Sequence, residues 1–382
     1  MTRHEHRIRH TAGRAMWRVL AAIAAVMAAL AGGLATSTAL ADEPQKCGTS
    51  DTVCYAGWNA NGLKQIADDL SVNGTASRYY TTMETDLQKD VRGSITLSDG
   101  SKLPFRLIGI LHDDLADGSG RKAGLTFMAV NAMPKAYCMN GVMPSDDTTS
   151  CSGGNTNRGG WRDSGLRRWM NGGEVWDMFP EAFRTGVSTV LKRSNSMEYG
   201  YTSGSASSAT SDRLWLVSYR ELVPAIYDGW KNLGGFQALN QEGGQYEFFK
   251  GRVTNNYSSN TILANMYRTA SGSRPAGLYD YGSWWERSSY PHGAGSFLGV
   301  SPGGGPSNDH SAFNRFALVP AFSFHGPGRI CPPPRPLRFG LADYGKRHAV
   351  AGVGSMTSRP PSALTTLTMV RKLGLPSLSR LL

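Results

Sequence analysis

The sequence lacks the patterns that would place it in several large structural classes. No Cys-x-x-Cys pair occurs among its five cysteines, and no histidine lies at ligand spacing from any of them, so no zinc pattern is present. No repeat period is visible and strands do not alternate with helices, which excludes solenoids and doubly wound sheets. No segment after residue 41 is long and apolar enough to predict a membrane span.

The body of the chain also lacks the basic excess that is typical of nucleic-acid-binding proteins. The formal net charge of the whole chain is +11, but this excess lies at the two ends. Residues 1–41 contain five Arg and one Glu, and residues 325–382 contain nine Lys or Arg and one Asp. The remaining chain is close to neutral, which excludes specific nucleic-acid binding through the body.

The first 41 residues have the three parts of a secretory signal peptide. A basic start is followed by an apolar run over residues 19–35 and by small residues at Ala39 and Ala41. A membrane anchor is the alternative, but the apolar run is shorter than the roughly 20 residues that a spanning helix needs. We expect cleavage after Ala41 and a mature chain that is secreted or lies at the cell surface.

Four of the five cysteines form two pairs that are close in sequence. In an oxidising compartment such pairs are candidates for disulfides, which predicts the bonds Cys47–Cys54 and Cys138–Cys151. The alternative is free, buried thiols, which a secreted chain disfavours. Cys331 has no close partner.

The end of the chain changes character. Residues 325–382 are rich in Arg, Pro, Leu and Ser and contain one acidic residue. Three interpretations stay open: a disordered linker, a basic segment attracted to an anionic cell wall, and translation past a frameshift. We therefore divide the chain into a signal peptide (1–41), an N-terminal extension (42–92), a domain (93–324) and a basic tail (325–382).

Short elements of both kinds in the domain predict an α+β fold. An Asp-Gly turn at residues 99–100 lies between alternating apolar residues, as in a β-hairpin. Asp163 or Ser164 is the N-cap of a short helix. Ser218 and Glu221 have the spacing of a capping box at the start of another.

The last strand of the domain has the clearest periodicity. From Phe316 to Phe324 large and small residues alternate, which predicts a strand with one heavy core face. Pro320 lies within this strand, and a proline there predicts a sheet edge or a bulge because it cannot donate a backbone hydrogen bond.

Seven motifs occur in the domain in a fixed order: FRLIGI with HDD, LTFMAVNAM, GGWRDSGLRRWMN, DRLWLVSYRELVP, SWWERSS, FLGV and RFALVPAFSF. Together, over residues 94–324, they resemble a family of secreted bacterial domains known as domain of unknown function 6273. The closing motifs are also similar to the C-type-lectin-like fold of formylglycine-generating enzymes and phage receptor-binding proteins. This resemblance implies a small twisted antiparallel sheet and short helices that support long, ligand-binding loops.

The resemblance does not carry over the chemistry of those relatives. Formylglycine-generating enzymes hold copper with a cysteine pair near the end of the domain, and here no cysteine lies between Cys151 and Cys331. Iron-dependent relatives need a histidine cluster, and His112, His292 and His310 are not grouped as that motif requires. The calcium- and sugar-binding motif of true C-type lectins is also absent.

The segment between the two tryptophans and the last strand is the candidate ligand-binding site. Successive strand residues face opposite sides, so we expect one of Trp284 and Trp285 to anchor the sheet and the other to lie in or under the loop. Residues 289–314 are rich in Gly, Ser and Asn, which suits an adaptable recognition loop; an unspecific surface loop is the alternative. The predicted ligand-binding residues are Trp285, Tyr290, His292, Asn308, Asp309, His310 and Asn314.

Two charged motifs allow a second interpretation. Glu286 and Arg287 could act as an acid and an oxyanion holder, but no nucleophile or base accompanies them, and the alternative is an ion pair between Arg287 and a carboxylate. The acidic motif HDDLADGSG could hold calcium, although the EF-hand spacing fails and a polar turn is the alternative. The candidate calcium ligands are the carboxylates Asp113, Asp114 and Asp117, which follow His112 in this motif.

Three functions are compatible with these features. The first is an exported, non-catalytic recognition module that binds a glycan or a protein through the C-terminal loop and one exposed tryptophan. The second is an extracellular, hydrolase-type enzyme whose catalytic residues the spacing does not reveal. The third is a structural component of the cell surface. Apart from the calcium interpretation, no cofactor is expected.

Overall fold

The computed structural model describes residues 43–197, 207–280 and 282–325. The predicted signal peptide and, except for His325, the basic tail lie outside these residues. In the described part, 14 strands and seven short α-helices form a mixed α+β fold with antiparallel sheets, which confirms the predicted fold class at this level.

The strands are short, as their bounds show. They are β1 (Val53–Tyr55), β2 (Trp58–Asn59), β3 (Arg92–Thr96), β4 (Lys102–Ile110), β5 (Leu125–Ala129), β6 (Tyr137–Cys138), β7 (Val190–Asn195), β8 (Ser207–Asp212), β9 (Leu214–Trp215), β10 (Trp284–Ser289), β11 (Ser296–Val300), β12 (Asn308–Ser311), β13 (Arg315–Phe316) and β14 (Ala321–Phe324).

Most of the helices are single turns. They are α1 (Ala60–Asn73), α2 (Tyr80–Gln88), α3 (Gly160–Asp163), α4 (Gly165–Gly172), α5 (Glu174–Asp177), α6 (Glu181–Arg184) and α7 (Tyr219–Leu222). Three 3₁₀ turns add to them, at Gly74–Ala76, Asp228–Trp230 and Phe236–Gln241.

The main sheet has seven strands in the order β2-β1-β3-β4-β5-β14-β9. A second, three-stranded sheet has the order β10-β11-β12, and two further pairs are β6 with β13 and β7 with β8. Residues 43–92 supply β1 and β2 to the main sheet and bury Leu63, Ile66 and Leu70 of α1 in its core. The segment expected to be an extension is therefore part of the main sheet.

The local signals in the sequence correspond to the observed turns and caps. β3 and β4 form the expected hairpin around residues 99–100. At the start of α4, the Ser164 hydroxyl accepts a hydrogen bond from the Arg167 N–H at 3.2 Å. Ser218 and Glu221 form a complete capping box on α7.

The last strand differs from its prediction. Residues 315–324 form two strands, because β13 pairs with β6 while β14 lies in the main sheet between β5 and β9. The edge or bulge expected at Pro320 is wrong, since this residue precedes a strand that is paired on both sides. The predicted core face of large residues is present in β14. Phe322 and Phe324 pack against Phe183, with ring centroids 4.8 and 5.8 Å from that of Phe183.

Both predicted disulfides are present. The Cα atoms of Cys47 and Cys54 are 5.8 Å apart and those of Cys138 and Cys151 are 6.3 Å apart, each pair with a bonded S–S contact. Among the described residues there is no helix with the length and apolarity that a membrane crossing requires.

Removal of the second disulfide should destabilise the protein measurably. The Cys138–Cys151 bond closes a loop with a sequence separation of 13 residues. Chain entropy then predicts that the C138S/C151S double variant loses about 3 kcal/mol of unfolding free energy, which denaturant titration measures. An unchanged unfolding midpoint and slope would contradict a structural role for this bond.

Candidate functional site

The predicted ligand-binding loop is mostly regular structure. Within residues 289–314, β11 pairs with β10 and β12 pairs with β11, so the three strands form an antiparallel meander. The expectation of one long loop is therefore wrong, because the apolar run at 296–300 pairs with β10 instead of remaining exposed. The connections at 290–295, 301–307 and 312–314 are the parts that lie outside strands.

Both tryptophans of β10 are buried, so the expectation of one exposed ring is wrong. The Trp285 indole N–H donates to the Tyr137 carbonyl at 2.7 Å, and the Trp284 N–H points to the Leu263 carbonyl at 3.4 Å. Each face of β10 is covered by another layer, which strand alternation alone does not reveal. The two ends of the segment do meet, because Trp284 forms a β-bridge with Ala317.

Three of the seven predicted ligand-binding residues contribute to packing instead. Trp285 is fully buried, and the Asn314 side chain is buried and accepts a hydrogen bond from Ser150 Oγ at 2.9 Å. The His310 ring packs 4.1 Å from that of Phe316, and burial lowers the pKa of His310 to about 4, so the ring is neutral at pH 7. Trp285 and Asn314 are therefore not available on the surface as expected, and the partly buried His310 uses its ring to pack against Phe316.

Of the other four predicted residues, Tyr290, His292 and Asp309 lie near further aromatic side chains, and Asn308 is exposed next to Asp309 on β12. The rings of Tyr227 and Tyr257 stack with centroids 4.2 Å apart, and Tyr257 is 50% exposed. Burial raises the pKa of Tyr290, and nearby Asp309 and Tyr257 raise it further. We call the group of Tyr227, Tyr257, Tyr290, His292, Asn308 and Asp309 the aromatic surface.

Two buried rings support this surface from below. Trp230 stacks on Phe236 with centroids 4.4 Å apart, and Trp230 also contacts Tyr227 edge-on at 5.8 Å. Phe236 in turn contacts Tyr290 at 5.6 Å and His292 at 5.0 Å. The exposed rings are therefore held by a continuous aromatic layer.

The backbone around Tyr257 is held by hydrogen bonds before any ligand arrives. The Asn255 side chain accepts from the Tyr257 N–H at 3.0 Å and from the Ser258 N–H at 2.9 Å. Ser307 Oγ donates to the Tyr257 carbonyl at 2.7 Å, which ties this turn to the connection before β12. A turn that is already ordered loses less conformational entropy when a ligand binds.

Sequence reasoning missed Tyr227 and Tyr257, although the signal was available. Tyr257 lies in the run NNYSSN, and Tyr227 lies in a turn close to Pro224 and Gly229. Tyrosine surrounded by Asn and Ser is the same composition that identified Tyr290. The separation along the chain concealed the fact that all three rings share one surface.

A second feature of the structure is a buried chain of four ions, Asp113, Lys192, Glu221 and Arg287, which we call the buried ion chain. The Lys192 ammonium donates to Asp113 Oδ1 at 2.7 Å and also to Glu221. Arg287 donates to both carboxylate oxygens of Glu221, at 2.9 Å for the Nη2 contact. Burial would raise the pKa of Asp113, but the combined effect of Lys192, His112 and the Thr126 hydrogen bond lowers it to about 2.

The calcium ligands considered on sequence grounds do not converge. Asp113 pairs with Lys192, while Asp114 pairs with Lys122 at 2.7 Å. Asp117 accepts from its own turn, at the Ser119 N–H. No group of three or more His, Cys, Asp or Glu side chains in the described part could hold a metal ion. For Arg287, the ion-pair interpretation is confirmed by its contact with Glu221.

Two further carboxyls lie next to this chain, and burial favours their neutral form. Glu242 accepts from the Asn195 N–H at 3.0 Å and from Ser288, and burial raises its pKa to about 7. Glu286 is fully buried, and neither of its oxygens has a hydrogen-bond partner in the described part of the chain. Burial, and then Glu242, raise the pKa of Glu286 well above its usual value.

Replacement of the Arg287 guanidinium by a lysine ammonium should strongly destabilise the fold. Besides Glu221, Arg287 donates to the carbonyls of Leu216 at 2.9 Å and Glu242 at 2.5 Å, and a lysine has too few donors to replace these bonds. We expect Arg287→Lys to lose about 3 kcal/mol of unfolding free energy in denaturant titration. The exposed Arg158→Lys is the matched control, and equal stability of the two variants would contradict the argument.

The stability of the protein should fall as the pH rises toward neutrality. The pKa of Glu242 is raised on folding from 4.5 to about 7, so its contribution is complete below pH 4.5 and is lost as the pH rises through 7. This shift corresponds to about 3 kcal/mol. Glu242→Gln should flatten the curve of unfolding free energy against pH in this window, while the exposed Glu84→Gln should not. Parallel curves for all three proteins would refute this assignment.

Comparison with known families agrees with the sequence motifs for part of the chain. Residues 145–326 match a family model described as "Domain of unknown function (DUF6273)", so this region is similar to that family. The matched region includes β7 to β14 and every residue of the aromatic surface, whereas the motifs of β4 and β5 precede it. Searches of curated proteins and of solved structures found no match.

Proposed function

We propose that the protein is an exported recognition module that binds a glycan through the aromatic surface. The observation that carries the proposal is the stacked pair of Tyr227 and Tyr257, of which Tyr257 is 50% exposed, close to Tyr290 and Asp309. Aromatic faces pack on the C–H faces of sugar rings, and amide and carboxylate groups bind their hydroxyls. This assignment moves the proposed contact from Trp285 to Tyr257.

Export and fold type are part of the same proposal. The signal-peptide pattern at residues 1–41 supports export, and two disulfides are compatible with an oxidising compartment. Antiparallel sheets of short strands, combined with short helices, support a C-type-lectin-like fold. An experimental structure of the full chain tests the fold, and mass spectrometry of the secreted N-terminus tests cleavage after Ala41.

Truncation of the central ring should weaken glycan binding without unfolding the protein. We expect a glycan array probed with the full chain to give specific ligands, and Tyr257→Ala to bind them about tenfold more weakly because the stacking surface is lost. Asp309→Asn tests the polar contact.

Tyr279→Ala is the matched control, because Tyr279 is also 50% exposed but contacts Phe316, which is not part of the aromatic surface. Equal loss in the two tyrosine variants, or full binding by Tyr257→Ala, would remove the aromatic surface as the site. Unchanged thermal unfolding of each variant shows that the fold is retained.

A further inference from the structure

A cleft of about 230 Å³ opens next to the buried ion chain, apart from the residues of the aromatic surface. Its walls come from the end of β4, from β7 and β8, and from residues 241–244. At roughly 30 Å³ per water, this volume equals that of about eight waters, which is the scale of one small polar molecule.

The charges on the floor of the cleft already have partners. Asp113 and Glu221 share Lys192, and Asp114 is paired with Lys122. A paired carboxylate has its charge balanced and offers few free acceptor positions. The floor therefore does not select a cationic ligand, although four carboxyl side chains, including that of Glu242, line the cleft.

Arg193 differs from Lys122 and Lys192 because its charge is not paired with a carboxylate in the described part of the chain. It lines the cleft and is exposed, and its side chain makes no hydrogen bond or ion pair with any residue that the structure describes. A guanidinium has five N–H donors in a planar fork that fits a carboxylate. Leu191, two residues earlier on the same strand, is 42% exposed and adds an apolar rim.

The opposite wall adds backbone donors. Gly243 and Gly244 line the cleft and are exposed, and their N–H groups have no backbone acceptor in the described part of the chain. Gly243 has φ +133°, and a Cβ there would come within 3.0 Å of the Glu221 side chain. Glycine therefore suits this position, and it leaves the peptide N–H groups uncovered beside the cleft.

We propose that this cleft binds a small acidic sugar, with the Arg193 guanidinium holding its carboxylate. The available groups are donors. Three of the floor carboxyls are paired with lysines, and burial favours the neutral form of the fourth, Glu242, so the complementary ligand carries one negative charge. The Gln241 amide and the glycine N–H groups face the remaining oxygens, and Leu191 packs against the ring. The two proposed sites share no residue, so each can fail alone.

Isothermal titration of the full chain tests the cleft with three probes: sodium glucuronate, glucose, and glucose 1-phosphate. We expect glucuronate to bind at least tenfold more tightly than glucose. We expect Arg193→Gln to weaken glucuronate binding about 10- to 100-fold, as for the loss of a charge-assisted hydrogen bond. The exposed Arg158→Gln removes the same charge elsewhere and should leave the affinity unchanged.

Several results would overturn the proposal. These are absence of glucuronate binding, equal affinity for glucose, tighter binding of the phosphate than of the carboxylate, or equal affinity of Arg193→Gln and the parent. Arg193→Lys separates charge from geometry, because it keeps the charge and loses the planar fork; we expect an intermediate affinity. Tyr257→Ala should leave glucuronate binding at the cleft unaffected, which keeps this test distinct from that of the glycan proposal.

Discussion

The contact between Arg287 and Glu221 is the constraint on which the rest of the structure depends. Arg287 lies on β10, and Glu221 closes the capping box of α7. The same guanidinium also donates to carbonyls of Arg193 on β7, of Leu216 and of Glu242. A buried cation without its partners costs several kcal/mol, so these separate segments must reach their places together.

The same region also holds the aromatic surface in place. Ser288, which follows Arg287, accepts a hydrogen bond from the Tyr219 N–H at 2.9 Å. The Tyr219 hydroxyl then donates to the Asn256 carbonyl at 2.6 Å and accepts from the Tyr227 N–H at 3.1 Å. A continuous path of hydrogen bonds therefore joins β10 to Tyr227 and to Asn256, the residue that precedes Tyr257. The ion chain also contacts the cleft. Lys192 belongs to the chain and lies on the cleft floor, and its strand neighbours Leu191 and Arg193 line the same cleft.

The sequence predicts those features that depend on neighbouring residues. The capping box of Ser218 and Glu221 needs a spacing of three residues, so the spacing alone reveals it. The second role of Glu221 could not be predicted, because Lys192 and Arg287 lie 29 and 66 residues away. Both disulfides were predicted because each pair is close in sequence and has no competing partner nearby.

The errors at β10 have the same origin. Alternation along a strand places Trp284 and Trp285 on opposite faces, and this is compatible with the structure. Alternation does not say whether a face is covered, and here both faces are. Four of the seven predicted ligand-binding residues remain at a surface because they lie in the connections or on the outer strand, whereas Trp285, His310 and Asn314 point into packed layers.

Carboxyl groups with strongly shifted pKa values often belong to catalytic sites. In this protein their burial decides whether they can contact a substrate. A general acid must come within hydrogen-bonding distance of its substrate. Glu286 has no exposed surface and Glu242 has 1%, with both Glu242 oxygens occupied by Asn195 and Ser288. Their raised pKa values therefore follow from burial beside the ion chain. The groups that do reach solvent, the tyrosines and Arg193, are suited to binding, and for this reason we favour recognition over hydrolysis.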